Sequence, residues 1–157
     1  MARKKAALKG IGPARFEGVD VTVAFLLAGN ATVTLRSGKT GTRYTYKVRM
    51  SEDGKVHFVS VMYGADNEAD FTYMGIIRDG EFRWTKKSRV GADDVRVVAF
   101  AWAWGWMSSG GMPAQLEVWH EGRCGRCGRK LTVPESIASG FGPECLGKVG
   151  WVAEEVE

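Results

Sequence analysis

The chain predicts an α+β fold, and three features of the sequence carry that expectation. Between residues 19 and 85 apolar and polar side chains alternate with a period of two, broken by turn residues. A single helical period follows, from Asp93 onward. All three cysteines of the chain then fall between residues 124 and 145. The expected architecture is a twisted antiparallel sheet of about five or six strands, one amphipathic helix packed on it, and a small C-terminal knuckle built around the cysteines. The boundaries follow from the pattern: a basic flexible arm over 1–15, an antiparallel β domain over 16–119 with its helix at 93–108, and the knuckle over 120–157.

The arm carries Arg3, Lys4, Lys5 and Lys9, then Gly10, Gly12 and Pro13, and reads as solvated chain. Val21–Leu27 is ambiguous, with strand favoured over a short helix because it is rich in apolar and β-branched residues. Residues 31–37 set Thr32, Thr34 and Arg36 against Val33 and Leu35. After the turn at Gly38–Gly41, residues 42–50 set Arg43, Thr45, Lys47 and Arg49 against Tyr44, Tyr46 and Val48. Asp53-Gly54 and Asp79-Gly80 mark further turns around Val56–Tyr63, Phe71–Arg78 and Glu81–Thr85. In the helix, Val95, Val98, Ala99, Trp102 and Trp106 recur at one-face spacing. They are the expected core stripe, with Asp93 as N-cap, Gly110-Gly111 as the stop and Trp104 as the exposed tryptophan. Residues 115–119 read as a last strand leading to His120.

The C-terminal segment is His120-x3-Cys124-x2-Cys127-x17-Cys145. Two thiols two residues apart bite one ion from a tight turn, here Gly125-Arg126 followed by Gly128. A third thiol and an imidazole complete a Cys3His set, which suits tetrahedral Zn2+ with ligands His120, Cys124, Cys127 and Cys145. Gly142-Pro143-Glu144 places Cys145 in the first turn of a helix, where free amides and the helix dipole favour a thiolate. A CxxC turn followed by a cysteine at a helix start is similar to the treble-clef way of building a zinc site. A disulfide framework is disfavoured, because three cysteines leave one unpaired and no secretory signal is visible.

Other chemistry is tested and set aside. Gly38-Lys39-Thr40 lacks the glycine five positions upstream and the following helix that a phosphate loop requires. No nucleophile elbow and no His-Glu-x-x-His is present, so the chain is expected not to be an enzyme. Asp66, Glu68 and Asp70 form an acidic loop without the glycine and distal glutamate of an EF-hand. A length of 157 residues suits one domain with a zinc appendage, and no apolar run is long enough to span a bilayer. Reduced cysteines and the lack of an export signal point to the cytoplasm.

Net charge is +4, which permits an anionic partner. Cations concentrate on one strand face (Arg43, Lys47, Arg49) and on the knuckle (Arg123, Arg126, Arg129, Lys130). A metal-fixed backbone presenting arginine is suited to phosphate oxygens. The expected function is therefore a small zinc-containing binding protein that contacts nucleic acid, DNA or RNA, with little sequence specificity. The competing expectation is a protein that binds and inhibits a host protein such as a defence nuclease. The acidic loop and the acidic residues Glu154, Glu155 and Glu157 fit that expectation better.

The segment Trp119–Ile137, with Gly140-Phe141-Gly142-Pro143-Glu144-Cys145, resembles an uncharacterised zinc-knuckle family of bacteriophage and bacterial proteins. The upstream runs Leu27–Thr32 and Tyr44–Val48 look similar to the β region that accompanies that knuckle. The resemblance implies zinc and a phage or mobile-element origin, hence a host-cell cytoplasmic setting. It implies no activity.

Overall fold

The computed structural model describes residues 14–63, 71–129, 139–142 and 145. The basic arm up to residue 13, the acidic loop 64–70, Lys130 and the acidic tail lie outside the described residues. The elements in chain order are β1 (Ala14–Arg15), α1 (Val19–Leu26), β2 (Asn30–Ser37), β3 (Arg43–Met50), β4 (His57–Met62), β5 (Phe71–Arg78), β6 (Glu81–Arg83), α2 (Val95–Ser108) and β7 (Leu116–His120). The fold is α+β, as expected. Seven strands form one antiparallel sheet in the order β1-β7-β2-β3-β4-β5-β6.

The alternating runs become strands where the pattern placed them. Val33 pairs with Tyr46 and Leu35 with Tyr44 on the buried face, while Thr34 pairs with Thr45 and Arg36 with Arg43 on the other. The β2–β3 turn is closed by the Ser37 hydroxyl, which accepts from the amides of Lys39 and Thr40 at 3.2 and 3.1 Å. Asp79 and Gly80 both take positive φ (53° and 80°), the conformation that a two-residue hairpin between paired Arg78 and Glu81 requires. The seventh strand is an addition: Ala14 and Arg15, assigned by sequence to the arm, pair with His120 and Trp119 at the edge of β7.

Three expectations are corrected. The run favoured as a strand is the helix α1, which buries Val21, Thr22, Phe25 and Leu26. A short apolar run has no polar face to set its period, so packing decides. The Thr22 hydroxyl donates to the Gly18 carbonyl one turn back (2.6 Å), and His57 of β4 bonds the Leu27 carbonyl at the helix end (2.9 Å).

In α2 the expected core stripe is on the wrong side. Val97, Phe100, Ala103, Trp104 and Met107 are buried, whereas Val95, Val98, Trp102 and Trp106 are exposed and Ala99 is half-buried. Both stripes are apolar, so periodicity alone cannot choose between them. Specific partners on the sheet do. Phe100 packs against Tyr46 and Phe82 at ring-centroid distances of 4.9 and 5.1 Å. The Trp104 indole N–H donates to the Gly80 carbonyl at 2.9 Å, and the Tyr46 hydroxyl donates to the Arg96 carbonyl at 2.6 Å. The N-cap is Asp94 rather than Asp93, its carboxylate accepting from the Arg96 amide at 2.9 Å.

Both helices cover the face that carries Val33, Tyr46, Val48 and Val59, and one core runs from there into the knuckle, where it includes Cys124, Phe141 and Cys145. The other sheet face carries no helix among the described residues.

Candidate metal centre and basic sheet face

β7 delivers the chain to the knuckle through Gly122, at φ 83°. The Cys124 amide donates to the Arg129 carbonyl (2.8 Å) and the Gly128 amide donates back to the Cys124 carbonyl (2.9 Å), closing a tight turn. Within it the Arg126 amide points at the Cys124 Sγ at 3.4 Å. The turn is tied to its surroundings on both sides: the Asn30 amide donates to the Gly125 carbonyl (2.8 Å), and the Gly125 amide to the Gly140 carbonyl (2.9 Å).

Phe25 of α1 is the seat of this knuckle. A Cβ on Gly125 would stand 2.6 Å from the Phe25 ring, and one on Gly140 would also collide with it. Only glycine lets both backbones approach the ring. Around Phe25 gather Phe16 (5.0 Å), His120 (5.6 Å) and Phe141 (5.7 Å). Sequence reasoning missed this seat. Its available signals were the glycines flanking the cysteines and the apolar run 21–27.

The thiols of Cys124, Cys127 and Cys145 come together with their sulfurs within 4.8 Å of one another. A tetrahedral ion about 2.3 Å from each sulfur needs separations of roughly 4 Å, so the three thiols can hold a metal ion. Electrostatics favour the thiolate at Cys124. Burial works against ionisation of Cys124, but backbone N–H groups of Cys127, Gly142 and Arg126 outweigh it and lower that thiol's pKa. Cys145 moves the other way: burial, then the neighbouring thiols, push it up against the opposing effect of the Arg126 guanidinium, whose Nη1 lies 3.7 Å from its sulfur. A divalent ion among three thiolates leaves one net negative charge, and Arg126 is placed to balance it.

His120, expected as the fourth ligand, is not a member of that cluster. It is fully buried, its ring packed on Phe16 and Phe25. Its Nδ1 accepts the Gly122 amide at 2.9 Å. That bond engages Nδ1, and His120 stands outside the group of three thiols. The spacing from β7 that suggested a ligand instead places a buried aromatic at the junction of sheet and knuckle.

The basic residues divide into two groups. Arg123, Arg126 and Arg129 are exposed on the knuckle; Arg123 Nη1 braces the turn by donating to the Gly128 carbonyl at 3.1 Å. Arg43, Lys47 and Arg49 lie on the uncovered sheet face. Register shows what sequence did not: aromatic side chains share their rows. Lys47 pairs with Ser60, which pairs with Tyr73, and Arg49 pairs with Phe58. The Lys47 ammonium stands 4.5 Å over the Phe71 ring, and Phe58 meets Tyr73 edge-on at 6.3 Å. Trp119 lies two strands away, beside Thr34. Among the described residues, the carboxylates on this face are paired: Glu117 with Arg36 at 3.1 Å and Glu81 with Arg83 at 2.6 Å. The knuckle abuts one end of this face, since Asn30 holds Gly125 on one side and pairs with Arg49 on the other.

Among the described residues no helix is long and apolar enough to cross a membrane. Neither the curated proteins nor the solved structures contain a match to the chain. Residues 114–150, which run from just before β7 through the knuckle, match the model of a family described as a family of unknown function (DUF6011).

Proposed function

We propose that this is a non-enzymatic, zinc-holding protein that binds single-stranded nucleic acid with little sequence specificity across the uncovered face of its sheet. The observation that carries the proposal is the interleaving of cations and rings there: Arg49 in a row with Phe58, Lys47 in a row with Tyr73 and over the Phe71 ring, and Arg43 on the same face beside Arg36. Cations neutralise phosphates, and flat side chains accept any base by stacking. Phe58 is 44% exposed, enough ring to take a base. Zinc is the proposed ion because three thiolates in a closed turn suit it better than harder cations. Its role is to hold the knuckle arginines against the end of the sheet; the fourth ligand is a donor other than His120. The resemblance to phage-borne knuckles supports a phage or mobile-element origin.

The test is a salt titration by fluorescence anisotropy with short single- and double-stranded oligonucleotides. With about four phosphates contacted, the log-log slope for a single strand is near −3. Arg43→Glu with Arg49→Glu abolishes binding, and Phe58→Ala weakens it by at least about fivefold, the loss of one stacked base. No binding by the wild-type protein at micromolar concentration in low salt ends this reading and moves the search to a protein partner.

A further inference from the structure

Lys86, Lys87 and Arg89 belong to neither group of basic residues described above, and all three are exposed. They are carried by a turn that is pinned to β5 at several points. The Ser88 amide donates to the Thr85 carbonyl (3.0 Å), which leaves Lys86 and Lys87 at the tip. The Ser88 hydroxyl donates to the Met74 carbonyl (2.7 Å), and the Arg89 amide donates to the Tyr73 carbonyl (3.0 Å). The hydroxyls of Tyr73 and Thr85 share a hydrogen bond at 2.9 Å. Because β6 pairs only with Ile76, Ile77 and Arg78, the turn runs along the part of β5 that β6 leaves uncovered. Among the described residues no carboxylate pairs with any of the three cations. Adjacent ammonium groups on a pinned backbone repel each other, and a bound anion relieves that repulsion.

We infer that this turn is the far phosphate-binding rim of the nucleic-acid site, and that the bound strand crosses the β-strands from the knuckle beside β2 to the outer edge of β5. The inference rests on the function proposed above and gives it a path. Register sets that path. One row runs Thr32, Lys47, Ser60, Tyr73, and the Tyr73 hydroxyl then meets Thr85 of the turn. The next row runs Asn30, Arg49, Phe58, and Asn30 is bonded to the knuckle through Gly125. Each row therefore presents a cation on β3 and a ring beyond it, and the turn supplies cations again beyond the rings. A strand laid across the sheet meets charge for its backbone and flat surfaces for its bases along one line. A strand laid along β3 meets the cations of β3 without reaching the turn. From β2 to β5 the path covers three interstrand steps of about 4.8 Å, roughly 14 Å, and the turn lies beyond. At about 3.4 Å per stacked nucleotide, a strand of about twelve nucleotides spans it with length to spare.

The experiment is a salt titration by fluorescence anisotropy, using the full chain and an oligothymidylate of about that length. Lys86→Ala with Lys87→Ala is expected to flatten the log-log slope by about 1.4, two phosphates at about 0.7 each. Lys86→Arg with Lys87→Arg keeps the wild-type slope, which separates charge at the tip from the shape of the turn. All four substitutions fall at exposed positions, so thermal melts stay near wild type. The path is overturned if the alanine pair leaves the slope unchanged while Arg43→Glu with Arg49→Glu still abolishes binding; the sheet-face function then stands without it. A slope that flattens as much in the arginine pair as in the alanine pair also overturns it, because charge is then not the cause. A wild-type chain that does not bind the oligonucleotide at all ends both readings together.

Discussion

Asp94 shows how much one side chain can be asked to do. Its carboxylate accepts the Arg96 amide at the start of α2, and its other oxygen accepts the Tyr63 hydroxyl at 2.7 Å. The Tyr63 bond first, then the Arg96 amide, hold its pKa below the usual 3.8. A carboxylate with a depressed folded pKa adds stability that is present above its unfolded value and lost as pH falls through the folded one. Wild-type stability therefore declines below about pH 4, and Asp94→Asn flattens that part of the profile in urea melts taken at several pH values. Asp94→Ala costs about 1 kcal/mol at neutral pH, the ordinary worth of an N-cap. The Trp104 indole is a second such test. Trp104→Phe keeps an aromatic ring but removes the indole N–H that bonds the Gly80 carbonyl, at about 1 kcal/mol by denaturant titration.

At the scale of elements, α1 links sheet and knuckle. It is only eight residues long and its N-cap Gly18 offers no side-chain hydrogen bond, so it holds its place through what it buries. Phe25 meets three aromatic neighbours and the backbones of Gly125 and Gly140. Phe25→Ala is expected to cost about 3–5 kcal/mol, the range for a buried ring removed from a core. The same variant should surrender its metal to a chelator faster than wild type, followed with a colorimetric zinc indicator, because Gly125 and Gly140 lose the ring that seats them. Unchanged metal release would show that the knuckle organises itself without α1.

At the scale of the whole molecule, the sheet and the metal centre stand or fall together. Cys124, Phe141 and Cys145 belong to the same core as Val33 and Tyr46. β7 is a central strand between β1 and β2 that runs straight into the knuckle. An ion held by the three thiols, whose sulfurs lie within 4.8 Å of one another, would bear directly on that core. Metal binding is folding free energy in such sites. Chelation is thus expected to lower the melting temperature of the whole chain by several degrees in one transition, rather than melting the knuckle alone. Hydrogen exchange should show protection lost in β7 and β2 together with residues 122–129. Cys127→Ser, at the exposed thiol, should weaken metal affinity with less effect on packing than Cys124→Ser at the buried one.

What the sequence determined by itself is what depends on local chemistry. The strands were legible because one face of the sheet is covered and the other is not, so period two survives from Asn30 to Arg83. The Asp79-Gly80 turn was legible because few residue pairs accept positive φ at both positions. The thiols were legible because Cys124 and Cys127 have the spacing of a metal-binding turn and Cys145 is the one other cysteine of the chain. What only the tertiary structure decided is where local chemistry is symmetric. α2 is apolar on two stripes, and hydrogen bonds from Trp104 and Tyr46 to distant carbonyls chose the buried one. Val21–Leu27 suits strand or helix, and it packs as a helix whose Phe25 and Leu26 join the same core as Phe141. His120 has the spacing of a ligand, and the amide of Gly122, two residues on, claims its acceptor nitrogen. The rows that set Phe58 beside Arg49 and Tyr73 beside Lys47 exist only through strand register, which pairs residues that sequence keeps far apart.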